Sequence, residues 1–367
     1  MAAPFDAAVM GAGVMGCATA LFLARGGMRV VLVDRGAICR EASGVNAGTL
    51  TMQMTRAALI PYALRAHEMW VRMPEWCGGG SVLATTCPGL SVAFTDAEAA
   101  MLEERARIRR AAGAPIELID GRAAQAVEPG LADGVKLAGH CPIDGFASAY
   151  LTGRAFRPAL LEAGVTLMED TPVRGIADRF VLDTAAGPVA ARRLVLAGGV
   201  WLEEMAAWLG LRLTVKVLVN QLIVTERIAP VMRSVLGVAS GLLSLKQYAN
   251  GSVLIGGGWQ GVGDRARGGI AVRPENFLGN ARLAAHAIPA LRGARVLRAW
   301  LGLESETADA LPAIGPIPGI DDAWIIGCVH SGYTSGPFMG RILAQAMLGQ
   351  PPELPLFPPD RLLKDAA

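Results

Sequence analysis

At 367 residues, with 52% apolar and 18% charged side chains, the chain has room for roughly one to three well-buried domains and is too apolar to be disordered. A net charge of +2 with no long basic run excludes a nucleic-acid-binding class. The six cysteines (Cys17, Cys39, Cys77, Cys87, Cys141 and Cys328) form no CxxC pair, which argues against an iron–sulfur cluster, a metal site or a disulfide framework, and for a reducing cytoplasm.

The strongest signal comes first, in residues 5–35, FDAAVMGAGVMGCATALFLARGGMRVVLVDR. A short apolar strand over 7–10 runs into Gly11-x-Gly13-x-x-Gly16. A helix over 14–25 stops at Gly26-Gly27, and a strand over 29–33 ends at Asp34. In a dinucleotide site Gly11 permits the tight turn, Gly13 lets backbone approach a pyrophosphate, and Gly16 lets the helix pack close to the strand. The helix N-terminus offers unpaired N–H groups and a partial positive charge, and Asp34 is placed to accept hydrogen bonds from a ribose. The uncharged run over 7–24 also has the length of a membrane span or signal sequence. Three glycines interrupt it, no basic segment precedes it and a βαβ pattern follows, so no transmembrane segment is expected.

Residues 35–50 alternate small and polar side chains without a period, so they read as a loop. Its Ser43, Asn46 and Gly48 suit a chain laid against a flat polar ring. A helix is expected over 51–73, carrying Arg56, His67 and Trp70, then a strand over 83–94. Thr95-x-x-Glu98 is a capping box opening a charged, exposed helix to about 112. A strand-and-helix unit fills 117–127, a turn lies at 140–145, a helix over 148–162 and short strands over 165–189. The segment 193–201 is a buried strand broken at Gly198-Gly199 before a helix. This second strand–glycine–helix element separates a flavin protein from a simple nicotinamide one, which needs only the first. Strands over 213–226, 242–249 and 252–258 alternate like antiparallel ones, the last two joined by Asn250-Gly251 as a tight hairpin. A helix over 275–287, a strand over 295–303, an apolar strand from 323, a glycine-rich turn and a helix over 337–348 complete the chain.

Four motifs together resemble the D-amino-acid oxidase superfamily of FAD enzymes. They are GAGVMG with Asp34, Ser43-Gly-x-Asn46-Ala-Gly48, LVLAGGVW over 194–201, and Thr307-x-Asp309…Pro312-x-x-Gly315…His330-Ser-Gly332. The segment 243–259 with His140-Cys-Pro-x-Asp-Gly is most similar to the β subunits of proline, hydroxyproline and opine dehydrogenases and of hydrogen cyanide synthase. The resemblance implies α/β plus antiparallel β: a Rossmann-like FAD domain (1–80, 145–210 and 300–367) holding an inserted, sheet-rich substrate domain (81–144 and 211–299). It implies non-covalent FAD. Gly11, Gly13 and Gly16 would lie at the pyrophosphate, Asp34 and Arg35 at the adenosine, and Val173 at the adenine. Ser43, Asn46, Gly48, Gly198 and Trp201 would surround the flavin, with His330, Gly332, Tyr333 and Thr334 at its pyrimidine end.

Three departures set the expectations for chemistry. The family's carboxylate-binding arginine is missing, because Trp300-Leu-Gly302-Leu303 is followed by Glu304; the substrate carboxylate must be held elsewhere, with Arg56 and Lys246 as the candidates unless both are surface charges, and the arginine fork favours Arg56. The cysteine that tethers FAD in some relatives aligns near Gly302. The lysine that activates oxygen aligns at Leu254, and its loss favours an acceptor other than O2. Glu304 is open to two roles, reading a cationic group on the substrate or pairing with an internal arginine such as Arg298, and Tyr248 is a further candidate for the pocket. The reading is an FAD-dependent dehydrogenase of a small amino or imino acid, with a secondary amine, working beside a partner subunit that carries the next electron carrier. Its rivals are a peroxide-forming oxidase and a non-catalytic flavin subunit.

Overall fold

The computed structural model describes residues 3–177, 180–265 and 268–365. Five parallel strands form its first core, in the order Thr166–Met168, Val30–Val33, Phe5–Met10, Val189–Leu196, Ala323–Gly327. Phe5–Met10 is central: Ala8 faces Val31 on one side and Leu194 on the other. Strands covered on both faces read as unbroken apolar runs, and Ala7 to Met10 and Val30 to Val33 are all buried. Helices Val14–Arg25 and Gly332–Met347 pack on this sheet and on each other at glycines. A side chain at Gly340 would strike Ala18 Cβ at 2.6 Å, and one at Gly336 would strike Val14 Cγ1 at 2.7 Å.

The second sheet has eight strands, ordered Val296–Glu306, Lys216–Thr225, Val253–Gly256, Ser244–Gln247, Val235–Val238, Gly89–Ala93, Leu137–Cys141, Glu117–Asp120. All its pairs are antiparallel except Val235–Val238 with Gly89–Ala93. Helix Asp96–Ala111, started by the capping box at Thr95 and Glu98, presses Leu102 and Ala106 inward. Among the described residues no helix is long and apolar enough to cross a membrane.

Five expected elements change shape. The helix expected over 51–73 forms only as a 3-10 turn, Ala57–Leu59, then Ile60–Val71. Residues 51–56 are pulled out of it by Asp144, which accepts from Thr51 Oγ1 and, at 2.7 Å, from the Met52 amide. The strand expected over 83–94 is two pieces, Thr85–Thr86 and Gly89–Ala93; Leu83 sits at φ +54°, and Pro88 lacks the N–H a ladder needs. The Asn250-Gly251 turn holds Gly251 at φ +89°, with its amide donating to the Tyr248 carbonyl at 2.8 Å. The strands end at Gln247 and resume at Val253, so the connection is longer than a two-residue hairpin.

The final helix starts at Gly332 rather than 337 and contains Pro337. Proline leaves the carbonyl four residues back without its helical donor. Trp70 Nε1 supplies one, at 3.1 Å from both the Tyr333 and Thr334 carbonyl oxygens. The strand expected over 295–303 runs on to Glu306, which carries Glu304 into the sheet opposite Leu218.

Candidate functional site

A cleft of about 800 Å³ runs from the carboxyl ends of the parallel strands to the face of the antiparallel sheet. That is where open α/β sheets place ligands. At its first end the glycines divide the work. A Cβ at Gly11 would lie 2.4 Å from the Ala197 carbonyl oxygen, and one at Gly16 would lie 1.9 Å from that of Gly11. Gly13, in contrast, meets only Ser43 Oγ at 3.2 Å and lines the open cleft. The Asp34 carboxylate accepts the amides of Ala12 at 2.6 Å and Gly36 at 2.8 Å. Burial raises its pKa, and those two amides oppose the shift. Arg35 lies over the Trp201 ring at 3.8 Å, and Val173 and Gly198 complete this wall.

The 42–49 segment forms the middle of the cleft. Ser43 Oγ accepts the Val14 amide at 2.9 Å, tying the loop to the helix start. The Asn46 amide donates to the carbonyls of Ala42 and Ser43 and accepts from the Gly48 amide at 2.7 Å, so its side chain shapes the loop itself. Gly48 is not part of the wall. Its φ of +65° and the Ala147 carbonyl 2.0 Å from where a Cβ would sit explain the glycine by packing.

The far end gathers charge. Glu304 accepts from His330 Nδ1 at 2.9 Å, Asn220 Nδ2 at 2.6 Å and the Ser331 amide at 3.0 Å. Burial alone would raise its carboxyl, but these three partners hold it below the usual range, and the same bond lifts His330 against its own burial. Glu304 is therefore paired with a histidine and not with Arg298, whose guanidinium lies over the Trp300 ring at 5.2 Å. Gly332, Tyr333 and Thr334 line the cleft at a helix N-terminus; Thr334 Oγ1 donates to the Thr49 carbonyl at 3.0 Å, and Tyr333 stacks on Trp70 at 4.5 Å.

Arg56 reaches the cleft from the extended segment before the Ala57–Leu59 turn, not from a helix. It is ion-paired with Glu306, which also takes Lys216 Nζ at 3.1 Å, while Arg56 Nη1 is buried without a partner among the described residues. Lys246 and Tyr248 are not part of the wall. Lys246 is fully buried and donates to the Ala47 carbonyl at 2.9 Å, to Thr49 Oγ1 and to Ser244 Oγ at 3.1 Å; burial brings its amine down to about 7. Tyr248 packs edge-on against Phe146, and burial raises its phenol to about 12.

Sequence reasoning missed Asn220, Gln53, Arg105 and Arg109, all of which line the cleft. Asn220 and Gln221 are a polar pair inside an otherwise apolar strand, KVLVNQLIVT, and that interruption was a usable signal. Among the described residues no group of three or more His, Cys, Asp or Glu side chains is arranged to hold a metal ion.

The walls fit FAD on structural grounds: glycine at Gly13 leaves open space at a helix start, Asp34 stands beside it, and a long cleft continues from there to a polar end. The chain matches the family described as DAO, FAD dependent oxidoreductase, over residues 6–346. It is 28% identical to glycine oxidase of Geobacillus kaustophilus over 353 residues, 93% of this chain and 92% of that one. It is 26% identical to one of the subunits of opine oxidase from Agrobacterium tumefaciens (strain Ach5) over 360 residues, 93% of this chain and 92% of that one. Its fold superposes on that of L-proline dehydrogenase from P. horikoshii with a TM-score of 0.87 at 23% identity, covering 97% of this chain and 96% of that one. The chain belongs to the DAO family of FAD-dependent oxidoreductases.

Proposed function

We propose that the protein is a dehydrogenase of a small amino or imino acid, a secondary amine such as proline, hydroxyproline or an opine, with electrons leaving to an acceptor other than O2. Arg56 carries this reading. It is a cleft-facing guanidinium with one buried nitrogen unpartnered among the described residues, which suits a carboxylate taken up as a fork. Gly11, Gly13 and Asp34 at one end of the cleft and Gly332 to Thr334 at the other would hold FAD without a covalent tether, and the bound cofactor would supply the two-electron oxidation of the amine to an imine, which water then hydrolyses.

The chain's own groups bind and orient. Arg56 fixes the carboxylate and so the direction of the α-carbon. Glu304 is committed to three donors and is no free base, so the amine enters the reaction already deprotonated. The Gly332–Met347 helix turns its partial positive end to the wall, where it stabilises negative charge. Gly302 fills the tether position and packs against Val45. The opine oxidase relative is by its name a subunit, which supports a partner chain carrying the onward electron carrier. Six free cysteines, five of them buried, suit a reducing cytoplasm.

A peroxide-forming oxidase is the second reading, favoured by one observation. Lys246 stands directly across the ladder from Leu254 and places a buried amine on the same sheet face. An anaerobic titration with D- and L-proline, hydroxyproline, sarcosine, glycine and opines, followed by admission of air, separates the readings. Bleaching of the flavin band at about 450 nm with slow recovery supports the dehydrogenase. Immediate recovery makes it an oxidase. No bleaching by any amine, with FAD firmly bound, overturns the catalytic reading in favour of an electron-relaying subunit.

A further inference from the structure

Beyond the Arg56 carboxylate position, the cleft has a side arm that the proposed reaction does not use. It passes between helix Asp96–Ala111 and the strands Gly89–Ala93 and Val235–Val238, and Gln53, Ser91, Arg105, Arg109 and Ser240 supply its polar wall. Arg105 donates to the Ala239 carbonyl, and Arg109 Nε donates to the Thr55 carbonyl at 2.8 Å. Among the described residues neither guanidinium has a carboxylate partner. Arg109 is half-buried, and both burial and the neighbouring charge of Arg105 act against its proton, bringing it down to about 10. The acid whose field reaches it, Asp144, is fully buried and engaged by Thr51 and Met52. Gln53 is 7% exposed, lines the arm, and leaves its Nε2 donor without a partner among the described residues.

Two mutually repelling guanidiniums and an orphaned amide donor around one space are stable together when an anion neutralises them. The arm belongs to the same cleft as Arg56, and Arg109 holds the Thr55 carbonyl next to it. Ser244, beside Thr49, is two strands from Ser91, about 10 Å at the usual strand spacing. We infer that the substrate is a dicarboxylate, an N-(carboxyalkyl) amino acid whose distal carboxylate enters this arm and is held by Arg105, Arg109 and Gln53. The inference rests on the amine-oxidising reading, with Arg56 taking the carboxylate next to the oxidised carbon.

The FAD-loaded protein tests it with a matched series: sarcosine, and glycines whose N-substituent ends in a carboxylate after one to four methylenes. Anaerobic flavin bleaching gives each half-saturating concentration, and calorimetry with glutarate, which carries no amine, gives binding apart from chemistry. The expected result is that the best dicarboxylate half-saturates at least about tenfold below sarcosine, and that Arg105→Gln with Arg109→Gln brings this ratio to within about twofold. Arg105→Lys with Arg109→Lys retains part of the preference and controls for folding. No preference over sarcosine, or a preference that survives the double glutamine variant, overturns the inference. If no amine bleaches the flavin yet glutarate binds and the double variant abolishes it, the anion subsite stands and the amine-oxidising reading falls. Inorganic phosphate displacing glutarate at lower concentration would overturn the dicarboxylate class in favour of a phosphate.

Discussion

Lys246 stands directly opposite Leu254 in the antiparallel pair Ser244–Gln247 and Val253–Gly256, so the two side chains leave the same face of the sheet. Lys246 thus puts an amine on the sheet face where Leu254 carries none, bonded to Ala47 and Thr49 of the cleft wall. Ala47 and Thr49 both line the cleft, so a flavin held there would sense a proton on Lys246 through them. The expected outcome is a step in flavin absorbance near pH 7 that is absent in Lys246→Met. Stability carries the same signature. The folded value of about 7 lies below the ordinary 10.5, so between them the unfolded chain binds the extra proton. Lys246 therefore weakens the fold fully below about pH 7, and this cost is relieved as pH rises toward 10.5. Unfolding midpoints measured across this window should rise more steeply with pH in the native chain than in the variant; equal slopes would refute the assignment.

The Glu304–His330 bond makes an opposite prediction on the acid side. Glu304 is held below its ordinary 4.5, so its contribution is complete above that pH and is lost as pH falls through the folded value. His330 is held above 6.5, so its contribution is complete below that pH and is lost as pH rises through its folded value. The pair is strongest between about pH 4.5 and 6.5. Glu304→Gln should cost about 2 kcal/mol there, the scale of a charge-assisted hydrogen bond, and less at pH 9, where His330 has lost its charge while Asn220 and the Ser331 amide still donate. Denaturant melts at three pH values check this, and a pH-independent loss would contradict it.

The glycines of the first turn are separable by experiment because they are glycines for different reasons. Gly16→Ala puts a methyl 1.9 Å from the Gly11 carbonyl oxygen, a backbone atom with nowhere to go. Loss of about 3 kcal/mol of stability, with or without cofactor, is expected from overpacking of that kind. Gly13→Ala meets only a serine hydroxyl at 3.2 Å and points its methyl into the cleft. It should fold nearly normally and bind FAD about 100-fold more weakly, some 2.7 kcal/mol. Thermal melts of the FAD-free proteins with equilibrium dialysis of FAD resolve the pair.

This contrast also shows what a sequence can reveal. Gly11, Gly13, Gly16 and Asp34 were legible because close backbone approach excludes side chains and leaves a spaced glycine pattern. Arg105 and Arg109 were hidden, because a capped, charged helix reads as solvated. Only its neighbours, with Leu102 and Ala106 buried against the sheet, show that the same turns face a cavity. Lys246 and Tyr248 sit on and just beyond a short strand whose register decides which face each meets, and one position of slip reverses it. The 51–56 segment was read as helix because the carboxylate that unwinds it, Asp144, lies some ninety residues away in the chain.

That unwinding gives Arg56 its direction. On a helix starting at residue 51 it would share the face set by the turns around it. On the extended segment it swings into the cleft, meets Glu306 and leaves Nη1 buried and unpartnered among the described residues. If Nη1 is the donor that awaits a carboxylate, Arg56→Met removes binding energy that is present before and during the reaction alike. The half-saturating amino acid concentration in anaerobic flavin reduction should rise about 30- to 100-fold, or some 2–3 kcal/mol, while the limiting rate changes far less. Arg56→Lys keeps the charge but not the fork, and should recover less than half of that energy. A variant in which only the limiting rate falls would place the carboxylate elsewhere in the cleft.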